Sequence, residues 1–560
     1  MARPRPRTRP SVPLALSARA RRRPRRRDER GYVAVTSALL LVVLLGFSAF
    51  AVDVGHWYLE GQRAQRAADA AALAGVTKLP GDRTAAYQTA RDYATGNGFT
   101  NGGGTTVSAA LAGGSTRLRV DVTTQVQNIF GGFLGLPSTA VSRHAVAEFA
   151  GPVPLGSPCN RFGDDPEAGS TASSNCDNTG QFWANIGSPA ANKQSGDAFQ
   201  NDTCTAATSD GCPGNDNVDY DPLGHVYTIT LRQAVSNLTI EAFDPAFVAV
   251  GDYCTLGAAN LNNAKNLPYP DAALVSNPST RYAGGTTSWC TGDQPFSSAS
   301  APDTEFILRG PAGNPWEPTA WPQLGGSCAP KTFDGYYGDL NKVLDKRTTQ
   351  YAARPDVADN FRRWVRLCRI SGPVPAGTYA VQIHTNGLGA DTEDGHNRFA
   401  LRAYGTNSSD KDKISIAGFS KMVMYGNTPN GTSKFFLARV PTNSSGQFLN
   451  VNLYDIGDGA TAGSTVTVVP PIESGGSFTG CTGKGRVNGS LPTCQISVSS
   501  TYNGRWQTIT VPIPSTYSCT DSSPTGCWVR LEFYYGPSSS PADTTSWTAT
   551  LDGDPIRLVE

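Results

Sequence analysis

Charge is scarce in this chain, and so are histidine and methionine: 17% of its 560 residues are Asp, Glu, Lys or Arg, and it has 5 His and 3 Met. A soluble globule usually carries about 25% charge. With 60 Gly and 39 Pro added, turns and strands are favoured over long helices, which excludes a mostly helical cytosolic enzyme. Neither Gly-x-Ser-x-Gly nor His-Glu-x-x-His occurs, and no Ser-x-x-Lys comes with its partner motifs, so the common hydrolase arrangements are missing and the chain reads as a non-enzyme. Cysteine is absent before Cys159 and never forms a Cys-x-x-Cys pair, which argues against zinc.

The cysteines that are present fit an oxidising exterior. Cys159, Cys176, Cys204, Cys212, Cys254, Cys290, Cys328 and Cys368 precede a boundary near residue 406, and Cys481, Cys494, Cys519 and Cys527 follow it. Both groups are even. The spacings of Cys204/Cys212, Cys519/Cys527 and Cys481/Cys494 suit local disulfides, although eight cysteines allow about 105 connectivities and four allow about three.

Charge is also unevenly placed. Residues 1–30 hold 12 Arg against Asp28 and Glu29, a balance of +10, so the overall +1 leaves −9 for the remainder. A basic end can mean nucleic acid, but the sequence that follows excludes it here. Residues 31–52, GYVAVTSALLLVVLLGFSAFAV, carry no charge, and as a helix they span roughly 33 Å against a hydrocarbon core of about 30 Å. The run reads as one transmembrane helix. The positive-inside rule then places the Arg-rich tail in the cytoplasm and everything after Asp53 outside. Ala49-Phe50-Ala51 has the form a signal peptidase accepts, but the run exceeds the roughly 7–15 apolar residues of a signal segment, which favours a retained anchor.

Beyond the membrane, Asp53, Trp57 and Tyr58 mark the exit, and Ala64, Ala67, Ala71 and Gly75 form a small-residue face suited to packing against a partner helix. Pro80-Gly81 breaks that helix, and DRTAAYQTARDYAT reads as a second. Leu118, Val120 and Val122 then alternate with polar residues, and with TAVSRHAVAEF they predict a small sheet packed on the helix. Residues 53–150 form one stalk-like unit.

The segment RGYVAVTSALLLVVLLGFSAFAVDVGHWYLEGQRAQRAADAAALAG, extended more loosely by YQTARDYATGNG, resembles the N-terminal region of the TadG-like proteins of Flp (tight-adherence) pilus assembly. The resemblance implies a single-pass, pilin-like anchor with an exported domain, and pilins or Tad assembly proteins as partners. Five residues after Gly31 stands Thr36, not the Glu of class III prepilins, and no Asp-x-Ser-x-Ser string occurs. Neither prepilin-peptidase processing nor a metal-dependent adhesion site is therefore carried over. The β-rich remainder resembles the C-terminal regions of actinobacterial TadG-like proteins.

After the linker-like GPVPLGSP, short alternating runs predict two mostly β domains of sandwich or jelly-roll type, 151–405 with long disulfide-stapled loops and 406–560, with PIRLVE as the last strand. The fold class is thus membrane-anchored α+β. Asp216, Asp219 and Asp221 form the densest oxygen cluster and the leading site for a structural Ca²⁺, ahead of Asp391/Glu393/Asp394 and Asp455/Asp458. No other cofactor is implied. His384 and His396 flank the loop that carries Asp391, an alternative metal or acid/base site. Eight Trp outside the membrane region allow one further reading, a lectin-like protein that binds cell-wall glycans and uses the anchor for display.

Overall fold

The computed structural model describes residues 30–79, 83–112, 117–149, 153–164, 182–204, 209–250, 291–297, 300–311, 317–385, 393–427, 432–520, 526–539, 541–551 and 556–559. The Arg-rich tail, Pro80-Gly81, Cys176, Cys254, Cys290 and Asp391 lie outside them.

The apolar run and the alanine run form one helix, α1 (Arg30–Val76), of 47 residues. Its two halves meet different surroundings. Leu39, Leu41, Val42, Leu45 and Phe47 are exposed, whereas Ala64, Ala67, Ala68, Ala71 and Ala72 are fully buried. The alanines pack on a second helix, α2 (Arg83–Gly96), and on an antiparallel meander of β1 (Thr105–Leu111), β2 (Arg117–Gln127) and β3 (Ser138–Phe149). Leu118, Val120 and Val122 turn inward, so the period-two pattern faces the helix. Small side chains let the helix axis come close to the sheet, and the core of this unit is built of alanine and valine.

The edge of that sheet comes from the far end of the chain. Ile556–Leu558 pairs antiparallel with β3, Arg557 opposite Glu148. Within the run PIRLVE, residues 556–558 therefore complete the membrane-proximal sheet instead of a distal sandwich. Alternation predicts a strand but carries no information about which open edge it joins. All β structure from 153 to 551 is consequently inserted between β3 and this returning strand.

The inserted region is one two-layered body. Its first layer is a 12-stranded sheet; the second consists of a 5-stranded and a 4-stranded sheet, joined where Leu155 bridges Gly418 and Ala438. One hydrophobic core runs from Val153 to Ala549. The division expected at 405/406 is crossed by backbone pairing: Ile414–Gly418 adds to His225–Leu231, and Met422–Gly426 lies between Trp183–Gly187 and Asp543–Leu551. Every residue of Met422–Gly426 and of Trp183–Gly187 is buried, as central strands require. Disulfides join Cys204–Cys212, Cys328–Cys368, Cys481–Cys494 and Cys519–Cys527, and Cys159 is also oxidised.

Candidate functional site at the membrane exit

α1 carries one acidic residue at the point where its apolar half ends. Asp53 is 2% exposed, and a buried carboxylate needs partners. It finds them in the loop between β2 and β3. Its Oδ1 accepts from the backbone N–H of Ile129 at 2.7 Å and of Phe130 at 3.2 Å, while Oδ2 accepts from Gly131 at 2.7 Å. Four residues along the helix, Trp57 Nε1 donates to Asn128 Oδ1 at 2.7 Å, and Asn128 Nδ2 closes the loop on the Leu136 carbonyl at 2.8 Å. Burial pushes the Asp53 carboxyl up, but the N–H groups of Phe130, Gly131 and Ile129, with His56 nearby, hold it below the ordinary carboxylate value. Asp53 is thus the acceptor that fixes a loop to the helix.

The fixed loop is apolar and outward-facing. Ile129 is 53% exposed, Phe133 88%, Leu134 83% and Leu136 63%. A contiguous patch of this kind marks a contact surface. On the helix itself Val54, Tyr58 and Leu59 are exposed and continue its exposed apolar half. The alanine face is occupied within the chain: a Cβ at Gly75 would meet the Ala86 carbonyl at 2.7 Å and Ala90 Cβ at 3.0 Å, so α2 is the helix packed there. Sequence reading missed the 129–136 loop, although IFGGFLGL, an apolar run between two alternating strands, was its signal.

The other predicted sites separate. Asp219 takes Lys193 at 2.6 Å and Asp221 takes Lys421 at 2.5 Å, while Asp216 is exposed, so the densest acidic cluster is divided between lysines. His384 Nε2 lies 3.0 Å from Glu305, and His396 lies 3.0 Å from Asn201. A buried Asp197–His225 pair at 2.9 Å has Asp197 further held by the N–H groups of Gly187, Phe199 and Gln200. Those bonds tie the 197–200 turn to the ends of the strands Trp183–Gly187 and His225–Leu231, and neither side chain reaches solvent. Glu473, Cys519 and Cys527 converge within 4.8 Å, but the Cys519–Cys527 disulfide removes the thiolates. Trp183, Trp321, Trp528 and Trp547 are buried, and Arg402 lies 4.0 Å over the half-buried Trp364, so these rings offer no open platform for a sugar.

Residues 31–78 match the family model described as putative Flp pilus-assembly TadE/G-like. No curated protein and no solved structure matches the chain.

Proposed function

We propose, from the premise that residues 31–78 are a TadE/G-like segment, that the protein is a non-enzymatic, single-pass surface component that works in Flp pilus assembly by contact. What carries this reading is the coincidence of the matched segment with α1, whose inner half is exposed and apolar and whose outer half is the spine of a folded unit. The Arg-rich flank favours a cytoplasmic N-terminus, and the disulfides favour an exterior for residues 153–551. The 129–136 loop rests in the outer leaflet beside the helix, where Phe133 and Leu134 leave water. Val54, Tyr58 and Leu59 then form the stripe on which another membrane helix of the pilus machinery packs.

In-cell photocrosslinking from Leu59 and from Phe133, followed by mass spectrometry, tests this. A Tad pilin or assembly-platform protein captured from Leu59, with lipid captured from Phe133, is the expected result. Capture of wall polysaccharide alone would replace the assembly role with surface display.

A further inference from the structure

An open polar cavity of about 420 Å³ lies on the 12-stranded sheet beside its edge strand, Trp364–Ile370. Small-ligand sites span about 300–1,000 Å³. Ile240, Leu401 and Ala403 turn into the core, so Thr239, Glu241, Arg402 and Tyr404, which alternate with them, face the other way. Regular alternation in the edge strand would put Arg366 and Arg369 on opposite faces. A bulge between Arg366 and Cys368 adds one residue, and Leu367 and Cys368 both turn into the core. Arg369 thereby stands opposite Thr239 on the face where Arg366 stands opposite Glu241, and both guanidinium groups line the one cavity.

The chain leaves these charges unneutralised. Glu241, the acid opposite Arg366, is taken by Arg402 at 2.7 Å and by the Tyr404 hydroxyl at 2.9 Å. Among the described residues no carboxylate pairs with Arg366 or Arg369. Lys331 Nζ, which donates to the Arg366 carbonyl at 2.6 Å, adds a third cation at this edge, and burial with Arg366 beside it pushes its ammonium below the ordinary value. Cations held together are unfavourable until an anion joins them, and the planar guanidinium fork matches a carboxylate or phosphate. The cavity also asks for a donor. Asn237 lines it and is 8% exposed; its Nδ2 donates to the Thr406 hydroxyl, while its Oδ1 is buried without a partner. An unpaired buried acceptor is costly, and a bare anion has no hydrogen to give it, whereas a sugar hydroxyl has. We infer that this cavity binds an acidic saccharide, its carboxylate or phosphate held between Arg366 and Arg369 and a ring hydroxyl donating to Asn237. This contact belongs to the distal body and does not depend on the Leu59 stripe.

Calorimetric titration of the full chain in detergent with trigalacturonate, phosphorylated maltotriose and neutral maltotriose tests it. At least one acidic probe should bind, more weakly as NaCl is added, and the stronger of the two tells carboxylate from phosphate; the neutral sugar should not bind. Arg366→Ala and Arg369→Ala, both at exposed positions, should each weaken binding about tenfold. Lys484→Ala, an exposed cation on another strand, should leave it unchanged. Wild-type protein that binds neither acidic probe would overturn the site without any variant having to fold. Affinity undiminished in the double variant Arg366→Ala/Arg369→Ala, or an oligoglutamate peptide bound as tightly as either sugar acid, would overturn it equally.

Discussion

The membrane-proximal unit and the distal body solve the same packing problem with opposite materials. The first buries alanine and valine, has no cysteine, and takes its geometry from one helix of 47 residues. The second buries tryptophan, phenylalanine and tyrosine between two β layers, is cross-linked by disulfides, and seals aspartates and histidines inside. Close approach of backbones suits a unit that must continue a transmembrane helix. A large aromatic core suits a body built from non-local strand pairs, whose loop-closure entropy must be met by burial. Under the function proposed above, membrane and pilus contact fall to the first region and structural reinforcement to the second.

The largest effect that would sharpen this contrast is expected from Trp547→Ala. Its ring is fully buried and meets Phe435 edge-on at 5.7 Å. Truncation should cost about 3–5 kcal/mol, and denaturant titration should show the loss in the distal transition alone. Simultaneous loss of the α1–α2 unit would mean that the pairing of Ile556–Leu558 with β3 couples both regions into one cooperative body. Next, Cys328→Ser with Cys368→Ser opens a 40-residue loop and should lower distal stability by roughly 2–4 kcal/mol, while reductant leaves the cysteine-free unit unmoved. Gly75→Val reverses the test, since its Cβ would press on Leu118, Ala86 and Ala90; about 1–3 kcal/mol should be lost from the membrane-proximal unit only.

Acid should separate the regions more gently. Burial, with Arg398 beside it, pushes His396 down to about 3, and the charge of Asp197 offsets this only in part. The folded state therefore keeps His396 neutral while the unfolded chain protonates below about pH 6.5. Its stability is fully present above that pH and falls as pH drops toward 3, by at most about 1.4 kcal/mol per pH unit. Asp197, which burial raises but His225 and the backbone draw down to about 2, adds a second loss below about pH 4. Thermal melts from pH 7.5 to 4 should show the distal transition falling first. The smallest expected change is Tyr58→Ala, within about 0.5 kcal/mol in stability, with reduced capture of the partner helix from Leu59.

Legibility followed sequence distance. The anchor, the Ala-lined helix and the β2 alternation were readable because period and apolar length are local properties. The Cys204–Cys212, Cys481–Cys494 and Cys519–Cys527 spacings were readable for the same reason. Asp53 was located but not its role, because its partners lie 76 to 78 residues away. The fusion of the β region across 405/406 was hidden, since Met422–Gly426 and Trp183–Gly187 meet only through the sheet.

The central claim is that one helix divides a cytoplasmic tail from an exported body. Spheroplasts treated with protease, using one epitope tag before Met1 and one after Glu560, test it directly. The account predicts a shielded N-terminal tag and a digested C-terminal tag on a chain that retains residues 31–52. Digestion of the N-terminal tag with protection of the C-terminal one, or release of the body from the membrane, would contradict it.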